Sequence, residues 1–282
     1  MNGTPWVAME QHLVHRNDER SVLLEAYRQP DGHDVEFTLK RPVGGPFSVY
    51  GGAADPLLVA EYLRQTTIAY GHVAWGVPVG WAFIMGRMEL RSDSSLPRGP
   101  LTAAVRAVDP KLTGGALRTV TSDVSFFANG AEFARGRGAL KVVSEAVYAR
   151  LRRDGLNSLP VRAARRTSAS PLSLDVVRGA ENEWDIRFDE RDPFFFDHHV
   201  DHVPGMLLFD AVRRACVLAA GTPRSDLRAF DGTYTRFAEL HEPLRVRVTC
   251  TDIVKSRPRR HFEAEVCGED GAAILTAQAE VE

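Results

Sequence analysis

Two stretches of the sequence set acidic and basic side chains inside otherwise apolar surroundings. DPLLVAEYLRQ carries Glu61 and Arg64, and PGMLLFDAVRR carries Asp210 and Arg213. On a helix, residues three apart lie on the same face, so each carboxylate can meet its arginine. Burial raises the pKa of such a carboxylate and the arginine lowers it, a balance that can produce a general base. The arginine can also bind a phosphate. The structural alternative to both roles is an ion pair that only neutralises two buried charges.

A cluster of histidines stands directly before the second stretch, in FDHHVDHVPG. His198, His199 and His202 precede Pro204 and Gly205. A histidine changes charge near neutral pH, so it can act as an acid or a base, or it can simply hydrogen-bond within its loop. A helix that begins at Pro204-Gly205 offers the Gly205 N–H to a carbonyl oxygen and stabilises the negative charge that develops there. The sequence therefore predicts a site that polarises a carbonyl group at this helix entrance.

The two helix entrances differ in one respect. The position that corresponds to Gly205 in the first half is Pro56, which has no N–H to donate. We therefore expect two unequal clefts, of which the one at Gly205 is productive. A zinc site formed by the histidines and Asp201 is a weaker alternative, because no cysteine supports it. No metal and no other cofactor is expected.

The chain contains an internal repeat. Glu61 aligns with Asp210, and Arg64 with Arg213, at a single shift of 149 positions (210 − 61 and 213 − 64). The same shift lays HDVEFTLK over NEWDIRFD, and both alternate apolar and polar residues as half-buried strands do. Towards the end of each half, ANGAEFARGRGALK matches EDGAAILTAQAEVE, with a turn-forming NG or DG before a terminal strand. Each half is therefore predicted to contain one strand, a long helix and several further strands.

The helices and strands of each half differ in pattern. Both long helices are apolar around most of their circumference, which is typical of a helix enclosed by a sheet. The strand LRVRVTC should turn four side chains inward, Leu244, Val246, Val248 and Cys250. The predicted fold class is α+β: a double hot-dog fold of two tandem repeats, each with a long central helix wrapped by an antiparallel sheet.

The predicted boundaries are residues 1–143 for the N-terminal repeat, 144–181 for a linker and 182–282 for the C-terminal repeat. The linker is rich in Arg, Ser and Pro and lacks strand alternation, with a short helix predicted over residues 145–153. Its arginines form either a solvated face or a basic patch for an acidic partner such as an acyl carrier protein. These arginines are Arg150, Arg152, Arg153, Arg162, Arg165 and Arg166.

The composition restricts the partners. A net charge of -2 over 282 residues, with 44% hydrophobic residues, is typical of a globular protein and gives no reason to expect nucleic acid. The three cysteines have no CxxC spacing, which argues against disulfides and fits a reducing cytoplasm. No apolar run approaches the ~20 residues of a membrane span. We expect a cytoplasmic protein without a membrane partner, either a monomer that is itself a pseudo-dimer or a homodimer.

Paired helices of hot-dog repeats lie side by side, so one cleft should take its loop from one half and its helix side chains from the other. The candidate catalytic residues are Glu61, Gly205, His198, His199 and Asp210. The candidate substrate-binding residues are Arg64, Gln65, Arg213, Arg214 and His202.

DPLLVAEYLRQ and FDHHVDHVPGMLLFDAVRRA together resemble the paired motifs of the A-factor biosynthesis (AfsA-like) family of autoregulator synthases. The resemblance runs from about His33 to the end of the chain. It implies transfer of a 3-oxoacyl group from an acyl carrier protein or coenzyme A to the hydroxyl of dihydroxyacetone phosphate, followed by closure to a butenolide or furan precursor. It also implies that Glu61 deprotonates the hydroxyl, the Gly205 N–H binds the thioester oxygen, and Arg64 or Arg213 holds the phosphate.

The sequence departs from this family in the second helix, which has Asp210 and Arg213-Arg214 where Glu and Arg-Gln are usual. The loop GGPFSVYGGAADPLL also lacks the usual histidine. More distantly, the stretch is similar to hot-dog dehydratases, in which a histidine and the helix acid are catalytic. Two alternatives therefore stay open: a dehydratase or thioesterase that uses His198 or His199 with Asp210, and a module that binds an acyl thioester without chemistry.

Overall fold

A computed structural model describes residues 4–42, 56–92, 96–153, 155, 172–176, 180–198, 200–221, 226–254 and 259–282. The chain forms two compact units, Met1–Ala149 and Arg150–Glu282. The boundary between them falls inside the segment that the sequence predicts as a linker. Several residues singled out above lie outside the described residues, namely His199, Arg162, Arg165, Arg166 and most of the loop before Pro56.

Unit 1 is an antiparallel sheet with one long helix. Its strands are β1 (Val7–Ala8), β2 (Leu24–Asp31), β3 (Asp34–Leu39), β4 (Ala82–Ser92), β5 (Leu101–Ala107), β6 (Lys111–Thr113), β7 (Ala116–Ala128) and β8 (Ala131–Val143), and its helix is α1 (Pro56–Trp75). Hydrogen bonds order the strands β1-β2-β3-β5-β7-β8-β4, with β6 on β7. Two short 3-10 turns, Gln11–Val14 and Glu19–Ser21, precede β2. The short helix α2 (Glu145–Leu151) follows β8.

Unit 2 repeats this plan. Its elements are β9 (Leu172–Val176), β10 (Glu183–Phe188), α3 (Gly205–Ala220), β11 (Leu227–Tyr234), β12 (Leu244–Val254), β13 (Arg259–Cys267) and β14 (Ala273–Val281). The strand order is β11-β14-β13-β12-β10-β9, antiparallel throughout. A long helix with an antiparallel sheet in each half confirms the predicted α+β double hot-dog fold.

The positions that the sequence repeat relates also correspond in the structures of the two units. Both α1 and α3 begin at corresponding residues, Pro56 and Gly205. The NG turn joins β7 to β8 through Asn129 and Gly130, whose φ angles of 50° and 80° are those of a type I′ hairpin. The asparagine-glycine pair predicts this turn from the sequence, because few other residues accept two positive φ angles in succession.

Two local expectations are wrong. Cys250 is exposed, although it pairs in register with the buried Phe262 of β13 and the register shifts only after it, between Cys250 and Asp252. The linker also contains a strand, since β9 pairs with β10 from Leu172 to Val176. A strand of five residues inside Ser- and Pro-rich sequence offers too short a pattern to detect.

The core lies between each helix and its sheet. All residues of α1 are buried except Arg64, Val73 and Trp75, which fits a helix enclosed on most sides. In α3 one side is open, since Leu218 is 54% exposed. Within unit 2, Phe209 of α3 meets Phe230 of β11 edge to face at 4.9 Å between centroids. None of the helices in the described part of the chain is long and apolar enough to cross a membrane.

Two glycines let α1 approach β8 closely. A methyl group at Gly136 would lie 2.7 Å from Leu63 Cδ2 and 3.0 Å from the Glu89 carbonyl oxygen, and one at Gly138 would lie 3.1 Å from Thr67 Cγ2. The backbone oxygen of Glu89 belongs to the neighbouring strand and cannot yield easily. The absence of a side chain at position 136 therefore sets the distance between helix and sheet.

Replacing Gly136 by alanine should destabilise the protein by about 1–3 kcal/mol, because the added methyl overpacks the contact between helix and sheet. Urea unfolding followed by circular dichroism measures the change. Gly86→Ala on β4 is the matched control, because its methyl would meet only the Ala139 carbonyl oxygen at an ordinary 3.6 Å. Equal stability of the two variants would contradict this packing.

Candidate active site

A carboxylate held by two arginines lies inside unit 1. Glu61, in the second turn of α1, has a fully buried side chain. Its Oε1 accepts hydrogen bonds from Arg16 Nε at 3.1 Å, from Arg64 at 2.8 Å and from Gln65 Nε2 at 2.7 Å, while Arg64 Nε donates to Oε2 at 2.9 Å. Arg16 also approaches Oε1 through its terminal nitrogen at 2.8 Å. We call these four residues the Glu61 cluster.

The electrostatics of the Glu61 cluster favour the ionised carboxylate. Burial by itself raises the pKa of Glu61. Attraction from Arg16 and Arg64 and the hydrogen bonds from Arg64 and Gln65 together lower it by more, so the pKa lies below its ordinary value. The rise caused by burial and the lowering caused by Arg64 are the effects that the sequence predicted, and Arg16 adds a second attraction that lowers the pKa. A carboxylate with a lowered pKa is a weak base and a strong anchor for cations.

Gln65, predicted to bind substrate, is fully buried and bound within the protein. Its amide oxygen accepts from the Leu23 N–H at 2.8 Å, and its Nε2 donates to the Ser21 carbonyl at 2.7 Å as well as to Glu61. The Gln65 side chain thereby fastens the segment before β2 to α1. This arrangement favours a structural role for Gln65, and it aligns the segment that supplies Arg16.

Arg16 is the member of the cluster that sequence reasoning missed. It lies 45 positions before Glu61, in the polar stretch HRNDER, and it is nevertheless 6% exposed. Its neighbour Val14 gives a carbonyl oxygen to Arg64 at 3.3 Å, so both arginines are tied to the same segment. Helical periodicity relates only residues on one helix, and no local pattern distinguishes Arg16 from a surface arginine.

Unit 2 contains a related arrangement at the corresponding positions of α3, the Asp210 cluster. Asp210 is fully buried, and Arg213 donates to its Oδ1 at 2.8 Å while Arg214 donates to its Oδ2 at 2.7 Å. A second carboxylate, Asp226, approaches Arg213 at 3.4 Å. The two clusters share a buried carboxylate with an arginine three residues further along the helix. They differ in their other members, which are Arg16 and Gln65 around Glu61, and Arg214 and Asp226 in the Asp210 cluster.

The histidine loop before α3 contains two aspartate–histidine pairs. His198 Nδ1 lies 2.5 Å from Asp197 Oδ1, and His202 Nδ1 lies 2.7 Å from Asp201 Oδ1. The His198 side chain is 39% exposed and that of His202 is 26% exposed, so solvent reaches both rings. Since a carboxylate only accepts, the Nδ1 atom of each histidine carries the proton in these pairs.

Gly205 is the first residue of α3, and Pro204 is its N-cap. The Leu207 and Leu208 N–H groups both donate to the Pro204 carbonyl, which leaves the Gly205 N–H at the mouth of the helix. Gly205 is partly exposed, and the Tyr234 hydroxyl donates to its carbonyl oxygen at 3.3 Å. The glycine has no positive φ angle, so its role is not to permit an unusual backbone conformation.

The described residues include no group of three or more His, Cys, Asp and Glu side chains arranged to hold a metal ion. Of the residues weighed for zinc, His198, His202 and Asp201 belong to the pairs just described, and His199 lies outside the described residues. Arg152, predicted as part of an exposed linker, is 2% exposed and bound to Asp201 and Glu239. Arg152 therefore binds the histidine loop and is not part of an exposed basic patch.

Comparison with known proteins agrees with the fold and adds a family. The family model described as the A-factor biosynthesis hotdog domain matches residues 4–144 and 163–280. A protein of Streptomyces virginiae named 2-oxo-3-(phosphooxy)propyl 3-oxoalkanoate synthase is 31% identical over 248 residues, which cover 83% of this chain and 84% of that protein. A protein of the same name from Streptomyces coelicolor is 31% identical over 255 residues, which cover 84% of this chain and 80% of that protein.

Among solved structures, the chain is similar to the 12:0-ACP thioesterase of Umbellularia californica, with a TM-score of 0.57 and 13% identity over 89% of this chain and 98% of that one. An acyl-ACP thioesterase of Bacteroides thetaiotaomicron gives a TM-score of 0.52 and 11% identity over 89% of this chain and 98% of that one. At such low identity these similarities concern the fold alone.

Replacing Glu61 by glutamine should reduce the free energy of unfolding by about 3 kcal/mol at neutral pH, because Arg16 and Arg64 lose the buried negative charge that they share. The carboxylate has a lowered pKa in the folded state, so its contribution is complete above its ordinary value of 4.5 and is lost as the pH falls through the folded value. The difference between wild type and Glu61→Gln should therefore shrink in acid. Urea unfolding over a range of pH measures it.

Glu10→Gln serves as the control, since the Glu10 side chain is 71% exposed and its loss should change stability little at any pH. A difference between wild type and Glu61→Gln that stays constant down to about pH 3 would mean that the Glu61 charge does not hold the cluster together.

Proposed function

The chain belongs to the A-factor biosynthesis (AfsA) hotdog family, and from this we propose that it transfers a 3-oxoacyl group to the hydroxyl of dihydroxyacetone phosphate. The name of its Streptomyces relatives describes the ester of a 3-oxoalkanoic acid with that hydroxyl. The observation that carries the proposal is 31% identity to these synthases over more than four fifths of the chain. The acyl donor in the proposal is a thioester of an acyl carrier protein or of coenzyme A.

The proposed reaction makes three demands on the protein. The hydroxyl oxygen attacks the thioester carbonyl, so the C–O bond forms, the C–S bond breaks, and the hydroxyl proton passes to the thiolate. The protein must therefore stabilise negative charge on the carbonyl oxygen, hold a phosphate dianion, and carry one proton. No step needs a metal or a redox cofactor.

The Gly205 N–H is assigned to the thioester oxygen. It lies at the mouth of α3, where the helix dipole adds positive potential, and Pro56 at the corresponding place in α1 has no N–H. Donors of this kind are typically worth about 3–4 kcal/mol in the transition state of an acyl transfer. The unequal helix entrances support one working cleft.

The arginines are assigned to the triose phosphate. The Arg64 side chain is 16% exposed while Glu61 behind it is fully buried, so the guanidinium forms the accessible side of the cluster. Arg213 is similarly 14% exposed and Arg214 31% exposed. The Glu61 cluster is assigned to the phosphate because guanidinium groups fork onto phosphate oxygens, and because Asp226 already approaches Arg213 in the Asp210 cluster.

Glu61 is assigned the task of holding Arg16 and Arg64 in place. The sequence predicts a general base here, but the lowered pKa and the complete burial of the side chain make proton transfer unfavourable. Asp210 is assigned the equivalent task for Arg213 and Arg214.

The function is tested by incubating the purified protein with a 3-oxoacyl carrier protein, or the coenzyme A thioester, and dihydroxyacetone phosphate, with mass spectrometry of the products. The expected product is the phosphate-containing ester, or the same compound lighter by one water if the ester then closes to a butenolide or furan. Release of free 3-oxo acid would indicate a thioesterase, and an enoyl thioester a dehydratase. Binding of the thioester with no product would indicate a module without catalysis.

Arg64→Ala should raise the KM for dihydroxyacetone phosphate about 10- to 100-fold while changing the KM for the acyl donor less, because one charged pair to phosphate is lost. Glu61→Gln should show the same selective rise if Glu61 only holds the arginines. Steady-state kinetics with each substrate varied in turn measures the split. The matched control is Arg20→Ala, whose guanidinium pairs with Asp18 on the surface.

A Glu61→Gln variant that loses kcat while both KM values stay unchanged would contradict this assignment and restore the general-base role. Equal changes in both KM values for Arg64→Ala would remove Arg64 from the phosphate site. Both variants should be assayed under conditions where circular dichroism shows them to be folded.

A further inference from the structure

We propose that Arg152 is a positioning residue that clamps Asp201 and thereby fixes His202 as the proton carrier of the acyl transfer. The proposal deepens the proposed function and rests on it. Within unit 2, four side chains form one continuous hydrogen-bonded series, Glu239, Arg152, Asp201 and His202. From the sequence alone, the histidine is one of three that could act as an acid or a base or bind substrate, and the arginine is part of a linker.

Arg152 is buried to an unusual degree for an arginine that follows a short surface helix. It is 2% exposed, and its guanidinium lies 4.5 Å from the centre of the Phe237 ring. Burial of a charge is costly unless hydrogen bonds and counter-charges satisfy it. The side chain is therefore held in one place by its partners and serves as a fixed point for the loop.

The guanidinium connects two carboxylates. Its Nε donates to Asp201 Oδ2 at 2.8 Å, and a terminal nitrogen donates to the Asp201 carbonyl at 2.9 Å. The two terminal nitrogens also donate to the two carboxylate oxygens of Glu239, at 2.7 and 2.8 Å. This bidentate geometry fixes orientation as well as position, which an ammonium group cannot do.

Asp201 uses its other oxygen to orient His202. Oδ1 accepts the His202 Nδ1–H at 2.7 Å, so the lone pair of the ring is at Nε2. The ring also packs edge to face against Phe237 at 4.8 Å between centroids. Asp201 thus sets the tautomer and Phe237 packs against the ring, and Arg152 touches both of these residues. The His202 side chain still keeps 26% of its surface exposed.

The same region also ties the loop to the segment after β11. The Val203 N–H donates to the Ala238 carbonyl at 2.8 Å. Val203 lies two residues before Gly205, and Ala238 lies one residue before Glu239. Arg152 and this backbone hydrogen bond therefore attach both His202 and the start of α3 to the segment that contains Ala238 and Glu239. A base and an oxyanion donor must keep their mutual geometry to act on one carbonyl group.

The proton transfer balances as follows. His202 Nε2 takes the proton of the dihydroxyacetone phosphate hydroxyl as its oxygen attacks the thioester carbonyl. The C–O bond forms, the C–S bond breaks, and the imidazolium returns the proton to the thiolate sulfur. Asp201 stabilises the imidazolium in between, as the aspartate of a catalytic triad does. Glu61 needs no proton role in this scheme.

The first test uses Asp201→Asn and Arg152→Lys. Asparagine should turn its oxygen to Arg152, which only donates, and its NH₂ to His202 Nδ1, which moves the ring proton to Nε2 and removes the base. The expected loss of kcat is on the order of 10³-fold with little change in either KM. Arg152→Lys keeps the charge but loses the fork, and we expect a smaller loss of kcat, about 10- to 100-fold.

The matched control for Arg152→Lys is Arg259→Lys. Arg259 also lies between two carboxylates, Glu280 at 2.8 Å and Glu282 at 2.9 Å, but it is on β13, and its ion pairs within the described residues involve no residue of the histidine loop. Its variant should keep wild-type kinetics. Asp197→Asn tests the other pair, and its loss of kcat should be at least tenfold smaller than that of Asp201→Asn. Equal kinetics for Arg152→Lys and Arg259→Lys would overturn the proposal.

A second measurement is independent of the reaction. In protein labelled with ¹⁵N-histidine, the His202 ring should give the chemical shifts of an Nδ1–H tautomer, and these should change to the Nε2–H pattern in Asp201→Asn. An Nε2–H tautomer in the wild type would overturn the proposal whatever the protein catalyses. If the wild type forms no phosphate-containing ester, the proposed function fails while the tautomer result still decides whether Arg152 and Asp201 orient His202.

Discussion

A charge that is removed from water inside this protein must be met by an opposite charge, and that requirement governs the regions on which the function depends. Glu61 lies in the second turn of a helix whose residues are almost all buried, where an unpaired carboxylate would be strongly disfavoured. Two arginines and a glutamine satisfy it. The pairing keeps the carboxylate ionised, and Arg64, whose side chain is 16% exposed, is the member proposed to meet an anionic substrate.

The same requirement recurs in unit 2 with a different outcome. Asp210 is satisfied by Arg213 and Arg214, and Asp226 also approaches Arg213. In front of α3, Arg152 is buried between Asp201 and Glu239 and holds the histidine loop. The duplicated fold has therefore kept one frame and diverged in the charged residues that it carries.

The residues buried inside the clusters differ from those proposed to meet the substrate. Gln65 and Glu61 are fully buried, whereas His202, Gly205 and Arg64 keep part of their surface accessible. Motif reading cannot separate these groups, because both are polar residues at fixed spacing in the same stretches. Burial and hydrogen-bond partners separate them, since a side chain whose donors and acceptors are all used inside the protein has none left for a ligand.

The sequence by itself determined the repeat, the double hot-dog fold, the two buried carboxylate–arginine pairs and the Pro204-Gly205 helix entrance. These follow from periodicity and from short spacings, which are local properties of the chain. Only the tertiary structure decided that Arg16 joins Glu61 and that Arg152 joins Asp201. Arg16 and Arg152 come from segments 45 and 49 positions away from their partners. Such contacts form only when the chain folds back on itself, so no local pattern records them.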